Sequence, residues 1–296
     1  MKRYVFIGSV EFSASCLKAM LEEGVNIVEI MCPVKLSAAH NNDYNDLAVP
    51  AVRYGKKVHY FRNVSEEANH IKAAKPDVIF VIGFSQIVPE SILRIPAIGC
   101  IGSHPALLPQ NRGRHPLVWA LANGLKKSGM TLFWLDRGVD SGDIWQQEAF
   151  NIKDNDCARS LYKRAEKIAA RLLTRGVKEI ERGVIRRKRQ DHSRANYWRK
   201  RMEEDGRIDW RMSSKRICDL IRALSEPYPG AHCIYRGEQI KIWKAAILSN
   251  TDKYDNLEPG KVLSIAGREV SIKTGDGAVK IIRHTFKPLP KEGSYL

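Results

Sequence analysis

The stretch Asp77-Val-Ile-Phe-Val-Ile82 places five apolar residues in a row behind a single acid. A strand that is apolar on both faces has to be covered on both. That is the condition of a central strand in a parallel sheet with helices above and below it. Upstream, Tyr4–Ile7 reads as a buried strand ending at Gly8, and Phe12–Leu21 has apolar residues at helical spacing. Val25–Cys32 is a second strand. A helix over Asp43–Tyr54, interrupted by Pro50, and a short strand at Lys57–Tyr60 follow. Ser65–Ala74 is a helix capped by Asn63 or Ser65. Downstream, Gly99–Ser103 is a strand, Pro116–Asn123 a helix, Met130–Leu135 and Ile144–Phe150 strands, and Ala158–Arg182 a long helix. This alternation predicts an α/β, doubly wound, mostly parallel sheet with right-handed crossovers over residues 1–183.

Residues 184–206 read as a basic linker. Arg182–Arg201 holds nine Lys or Arg and one acid, Asp191, and so supplies half of the formal net charge of +16. Such a stripe suits tRNA, a membrane surface or small anions, and equally a solvated connector. Residues 207–296 change character. Ser213–Leu224 is an amphipathic helix with Ile217, Leu220, Ile221 and Leu224 on one face. Short strands follow at Ala231–Tyr235, Gln239–Ala246, Lys261–Ser264, Glu269–Thr274 and Val279–His284. One helix and five short strands predict a small OB-like β-barrel.

The 296 residues are 44% hydrophobic and 28% charged, an ordinary globular composition. Cys16, Cys32, Cys100, Cys157, Cys218 and Cys233 are scattered and form no Cys-x-x-Cys pair, as expected of core cysteines in a reducing compartment. The histidines are dispersed too, so no metal is expected. The apolar run after Met1 is too short for a signal peptide, and no stretch approaches ~20 apolar residues. A cytoplasmic protein without membrane insertion is the expectation. The first turn, Gly8-Ser-Val-Glu-Phe12, lacks Gly-x-Gly-x-x-Gly, which argues against a dinucleotide there.

In a doubly wound sheet, ligands gather at the carboxyl ends of strands. His104 stands just past one strand end, in His104-Pro-Ala-Leu-Leu-Pro-Gln-Asn-Arg112-Gly-Arg114. Asp140 follows 36 positions later in Gly138-Val-Asp-Ser-Gly-Asp143. A histidine exchanges protons near neutral pH, and a carboxylate stabilises its charged form. The alternatives are a structural histidine and Asp residues that cap a turn. Pro105 and Pro109 stiffen the exit from the strand, and Arg112 and Arg114 bring cations to it. Arg114 is a candidate for holding a phosphate or carboxylate, with a surface ion pair as the other reading.

The segments Gly99-Cys-Ile-Gly-Ser-His104-Pro-Ala-Leu-Leu-Pro109-Gln-Asn-Arg112-Gly113 and Gly138-Val-Asp140-Ser-Gly-Asp143 resemble the signature of the 10-formyltetrahydrofolate-dependent formyltransferases. The resemblance covers nearly the whole chain. Val5-Phe-Ile-Gly-Ser-Val-Glu-Phe12 resembles the first strand and turn of the methionyl-tRNA branch. Arg207-Ile-Asp-Trp210, Ser213, Ile221-Arg-Ala223 and Pro227-Tyr-Pro-Gly-Ala231 look like the start of the family's OB-like domain. The resemblance implies that His104 is the catalytic histidine and Asp140 the carboxylate that tunes it. It implies N10-formyltetrahydrofolate as co-substrate, held at Gln86, Ile87, Val88, Asp136, Arg137, Gly138, Val139 and Asp140 largely through backbone atoms, with no metal. The reaction it implies is attack of an amine on the N10-formyl carbon, with His104 handling the protons and donors holding the oxyanion.

Gly102 departs from the pattern. The family has Asn-x-His, and this chain has Gly-Ser-His. Loss of one oxyanion donor costs about 3–4 kcal/mol of transition-state stabilisation. Three readings stand: Asn111 substitutes, a water fills the space, or the protein binds without catalysing. Ser103 is a poorer substitute, because neighbours on a strand face opposite ways.

The acceptor is the second question. The methionyl-tRNA branch carries a basic insertion after the second strand. The matching stretch here, Pro33–Asp46, has one lysine, no arginine and two aspartates, and is a poor phosphate-binding arm. It looks like the sugar-nucleotide branch, as do Arg112-Gly-Arg-His-Pro-Leu-Val-Trp119 and Pro227–Ala231. Arg112, Arg114, Trp119 and Tyr228 are the candidate substrate residues; Trp119, Tyr228 and Trp243 could stack a base or flank a sugar, or simply pack in a core. A nucleotide-linked amino sugar, used for a lipopolysaccharide or other surface glycan, is the expected partner. Met-tRNA is the alternative, and a non-catalytic folate- or sugar-nucleotide-binding homologue a third.

Overall fold

The computed structural model describes residues 1–35 and 44–296. Most of the stretch read as a poor phosphate arm, and the start of the helix read from Asp43, lie outside the described residues. The chain divides into two compact units. The first holds residues 1–116, 128–150 and 162–198, and the second holds 117–127, 151–161 and 199–296.

The first unit is built on β1 (Tyr4–Ile7), β2 (Ile27–Pro33), β3 (Val58–Phe61), β4 (Val78–Val81), β5 (Gly99–His104), β7 (Lys127–Trp134) and β8 (Ile144–Asn151). They form one seven-stranded sheet in the order β3-β2-β1-β4-β5-β7-β8. The β1–β2, β1–β4, β2–β3 and β4–β5 pairs are parallel, and β7 runs antiparallel to β5. As its composition predicts, β4 lies in the middle of the sheet; Val78, Ile79 and Phe80 are wholly buried. The short pair β6 (Arg112–Gly113) and β9 (Tyr197–Trp198) lies outside this sheet.

The first four helices are α1 (Glu11–Glu22), α2 (Ala48–Val52), α3 (Ala68–Ala73) and α4 (Glu90–Leu93). α1 buries Phe12, Cys16, Leu17, Met20 and Leu21, one face at helical spacing. The Ser13 hydroxyl closes the β1–α1 turn: it accepts the Ser9 and Val10 N–H groups and donates to the Ile82 carbonyl at 2.6 Å. The helix read over Asp43–Tyr54 is shorter than its pattern, because Pro50 fits only a first turn, where its missing N–H has no partner to lose. The helix read over Ser65–Ala74 is also broken. A 3₁₀ turn at Val64–Glu66, capped by the Asn63 side chain, precedes α3.

Two more helices, α5 (Pro116–Ala122) and α6 (Ala158–Glu181), match their expected ranges closely. The second unit adds α7 (Ser214–Ala223) and the strands β10 (Ala231–Tyr235), β11 (Glu238–Ile247), β12 (Val262–Ala266), β13 (Glu269–Lys273) and β14 (Ala278–His284). The Ser213 hydroxyl caps α7 by accepting the Arg216 N–H. The strands form a five-stranded antiparallel, OB-like sheet in the order β10-β11-β14-β13-β12. Among the described residues no ladder joins β10 to β12. Arg236 and Gly237 make the β10–β11 turn with φ of 52° and 80°, the positive pair that a two-residue hairpin turn requires.

Candidate active site

His104 is the last residue of β5 and is only 4% exposed. Thr131 pairs opposite it and Trp134 opposite Ile101. β7 therefore ends toward the start of β5, and the chain has to double back for Asp140 to reach the histidine. It does so: Asp140 Oδ2 lies 3.5 Å from His104 Nδ1. The same oxygen accepts the Gly113 N–H at 2.8 Å.

The return loop builds itself. Asp136 Oδ1 accepts the Gly138 N–H at 3.0 Å and the Ser141 hydroxyl at 2.7 Å, an Asp-centred turn. A β-carbon on Gly142 would stand 1.8 Å from the Trp134 carbonyl oxygen, so only glycine lets the loop close against β7. Asp140 itself sits at φ 52°, a left-handed conformation that Asp adopts more readily than most residues.

The other ring nitrogen of the histidine is also engaged. His104 Nε2 lies 2.7 Å from the Asn111 carbonyl oxygen. A carbonyl only accepts, so Nε2 carries a proton, and Nδ1 is the nitrogen that faces Asp140. Asn111, at φ 63°, is held in turn by Asn196, whose Oδ1 accepts its N–H at 2.8 Å and whose Nδ2 meets its Oδ1 at 3.2 Å. The Asn111 side-chain nitrogen, Nδ2, makes no hydrogen bond among the described residues.

Gly102 faces the same loop. A β-carbon there would lie 2.5 Å from Leu135 Cδ2 and 3.3 Å from Phe133 Cζ. The space beside Gly102 is thus filled by leucine rather than left open to water. Ser103 points away, its hydroxyl accepting the Gly83 N–H at 3.3 Å, in keeping with strand alternation.

The loop after β4 carries the other group of expected residues. Gln86 staples it down, accepting the Val64 N–H and donating to the Arg62 carbonyl, both at 2.9 Å. Val88, like Phe84 and Leu135, packs against the apolar core, whereas Ile87 is 90% exposed. Val139, on the Asp136–Asp143 loop, is 60% exposed. An ion pair between Arg137 and Glu90 ties the two loops together, and the hydrogen bond from Arg137 holds the Glu90 carboxyl below its ordinary range.

The expected substrate residues fare differently. Arg112 is 1% exposed and turned inward. It donates to Tyr197 Oη at 2.7 Å, Gln190 Oε1 at 2.8 Å and His192 Nδ1 at 3.1 Å, and among the described residues it has no carboxylate partner. Its place is under the chain rather than at a surface. Arg114 is exposed. In the second unit Trp119 donates to the Arg199 carbonyl and lies under Arg201, 4.6 Å from its ring centre. Tyr228, half-buried, offers its carbonyl to Trp243 Nε1.

The residues read as a basic linker are anchored. Lys188 pairs with Ile144, and Tyr197–Trp198 pairs with Arg112–Gly113. Gln190, which sequence reading passed over, donates to the carbonyls of Asp140 at 2.9 Å and Gly142 at 2.6 Å. The only signal for it was a buriable amide in the middle of a run of cations.

A buried histidine thus lies between a carboxylate and a carbonyl, at the carboxyl edge of the mostly parallel sheet of a doubly wound α/β unit. Residues 2–177 match the family model described as formyl transferase, and residues 200–291 match the formyl transferase C-terminal domain. The chain is 32% identical to methionyl-tRNA formyltransferase of Caldanaerobacter subterraneus subsp. tengcongensis, over 99% of this chain and 93% of that protein. Among solved structures it is similar to WlaRD, a sugar 3N-formyl transferase determined with dTDP and 5-N-formyl-THF. That likeness has a TM-score of 0.72 at 19% identity, over 97% of this chain and 99% of that one. An N-formyltransferase from Helicobacter canadensis, in complex with folinic acid and dTDP-3-aminofucose, gives 0.72 at 20%, over 96% and 100%. At these identities the structural likeness establishes the fold. The chain belongs to the formyl transferase family and is a formyltransferase.

Proposed function

We propose that this protein transfers the formyl group of N10-formyltetrahydrofolate to the primary amine of a nucleotide-linked amino sugar. The amine nitrogen attacks the formyl carbon, forming the new C–N bond. His104 Nδ1 takes the amine proton while Asp140 stabilises the charged ring. Collapse breaks the bond to N10, and His104 returns the proton to N10, leaving a formamide and tetrahydrofolate. The Asn111 amide is the donor for the oxyanion in place of a side chain at 102. Ile87 and Val139, exposed apolar side chains on loops tied by Arg137 and Glu90, fit the flat ring of the folate, and backbone groups of Gln86–Val88 and Asp136–Asp140 fit its polar edge.

The observation that carries the sugar over a nucleic acid is the composition of Pro33–Asp46: one lysine, no arginine and two aspartates. A stretch with so little positive charge has little with which to grip a phosphate backbone. Met-tRNA is the second reading. It is favoured by the 32% identity to a methionyl-tRNA formyltransferase and by the net charge of +16. Incubation with formyltetrahydrofolate and a panel of UDP-, dTDP- and GDP-linked amino sugars, alongside Met-tRNA, decides between them. The expected result is a mass gain of one formyl on a sugar. Product with Met-tRNA and with no sugar overturns the proposal.

A further inference from the structure

The segment Gln190–Trp198 touches the histidine's surroundings at two separate points. On one side, Gln190 Nε2 donates to the backbone carbonyls of Asp140 and Gly142. Its Oε1 accepts from Arg112. Arginine only donates and carbonyls only accept, so the amide has a single possible orientation and all three bonds are made at once. Gln190 is 6% exposed, in a stretch otherwise open to solvent. On the other side, Asn196 holds Asn111 through both its side-chain atoms, and its own carbonyl accepts the Arg112 N–H at 3.0 Å. Asn111 is the residue whose carbonyl accepts the hydrogen bond from His104 Nε2–H.

One strap therefore reaches both groups that flank His104. It is seated closely: a β-carbon on Gly113 would lie 2.2 Å from the Trp198 carbonyl oxygen, and Gly113 has φ 101°.

We propose that Gln190 and Asn196 are positioning residues for formyl transfer, Asn196 setting the tautomer of His104 through Asn111 and Gln190 setting the place of Asp140. Neither touches the reacting atoms. With the Nε2 proton fixed on the Asn111 carbonyl, Nδ1 is the one basic nitrogen, and Asp140 stands opposite it. Releasing Asn111 lets the ring proton move to Nδ1 and removes the base from the side where the carboxylate waits. Releasing Asp140 leaves the tautomer in place and shifts its counter-charge. A displacement of about 1 Å in such a group can lower a rate by about 10²-fold.

The inference rests on the formyl-transfer reading, and its test has an arm that does not. Nitrogen NMR of the histidine side chains, with His104 assigned by its loss in His104→Gln, reports the tautomer without turnover. The wild type is expected to show His104 as the Nε2–H form and Asn196→Ala a mixture of tautomers. Gln190→Ala is expected to keep the Nε2–H form. In formyl transfer, Asn196→Ala and Gln190→Ala are expected to lose about 10- to 100-fold in kcat with KM for the folate held within about threefold. Asn196→Asp, which keeps the acceptor for the Asn111 N–H, recovers part of the Asn196→Ala loss. Arg194→Ala, on the exposed side of the strap, behaves as wild type. An unchanged His104 tautomer in Asn196→Ala overturns the role of Asn196, and a kcat within twofold of wild type in either alanine variant overturns the role of that residue. Absence of formyl transfer by the wild type counts against the formyl-transfer reading alone, and the tautomer measurement still decides the strap.

Discussion

Leu135 Cδ2 stands 2.5 Å from where a β-carbon on Gly102 would lie, so these two residues occupy one side chain's worth of space between them. The glycine is the counterpart of the leucine above it. Asparagine at 102 alone would overpack the site, at about 1–3 kcal/mol. The expected outcome is a lowered midpoint of urea unfolding and lower formyl transfer for Gly102→Asn. Adding Leu135→Ala should restore stability by at least about 1 kcal/mol relative to additivity. Strict additivity of the two changes would show that the residues do not share the space.

His104→Gln keeps a polar side chain but removes the imidazole proposed as the base. A fall in kcat of about 10²–10⁴-fold is expected, with the fold retained by circular dichroism. Asp140→Asn keeps an acceptor for the Gly113 N–H and loses the charge opposite Nδ1, and a smaller fall in kcat is expected. Activity within twofold of wild type in His104→Gln would place the base elsewhere.

Gly142→Ala puts a methyl against a carbonyl that belongs to β7 and cannot swing aside; the distance would be 1.8 Å. The whole Asp136–Asp143 loop has to shift, and Asp140 with it. Kinetics of this variant should show a kcat loss of about 10²-fold, larger than its effect on folate KM. Gly183→Ala strains a left-handed backbone at φ 81° but meets no atom within 4 Å, so it is the control for backbone strain away from the loop: some stability is lost and kcat stays near wild type.

Two groups in the second unit make its stability depend on pH. Asp205 is held down to about 2, from an ordinary 3.8, by the hydrogen bond from Arg199. A depressed carboxyl stabilises the fold above its unfolded value and loses that contribution as pH falls through the folded one. The stability difference between wild type and Asp205→Asn is therefore full above about pH 4 and shrinks toward pH 2. His232 is held below its ordinary 6.5 by burial. Its neutral form is favoured in the fold, so its contribution is complete above pH 6.5 and is lost on acidification. Urea midpoints across pH 5 to 7 should rise with pH in wild type and less so in His232→Gln.

Salt separates the two acceptors kinetically. For a polyanion held by several cations, the logarithm of the affinity falls linearly with log salt, with a slope of about 0.7–0.9 per phosphate contact. A nucleotide sugar with two phosphates should give a shallow dependence of kcat/KM on salt. A steep slope with Met-tRNA and efficient transfer to it at physiological salt would favour the second reading.

Much of this was legible along the chain. The uninterrupted apolar run after Asp77 marked a central strand, because burial on both faces leaves no polar position. The Ser213 cap and the spacing of Ile217, Leu220, Ile221 and Leu224 marked α7. His104 and Asp140 were legible as a pair through the residues around them. Pro50 and the Val64–Glu66 turn shortened two helices whose periodicity ran further, since apolar spacing does not record where the backbone must break. Arg112 looked like a ligand-binding cation because it follows His104 closely and opens the stretch that resembles the sugar-nucleotide branch. Its burial depends on Gln190, His192 and Tyr197, which lie far along the chain.

Local pattern, then, determined most of the strands and helices and the motifs that carry His104 and Asp140, because periodicity and motif spacing are properties of neighbouring residues. Tertiary structure decided that Leu135 fills the place beside Gly102, that Arg112 turns inward, and that the basic segment is a strap. The contacts responsible join residues 50 apart, as Gln190 and Asp140 are, or 85 apart, as Asn196 and Asn111 are. A glutamine and an asparagine in a cationic run look alike in solution and in a scaffold. Only the fold distinguishes the two: Gln190 is buried and has to be satisfied by the groups delivered to it, whereas Asn196 stays exposed and is singled out by its bonds to Asn111.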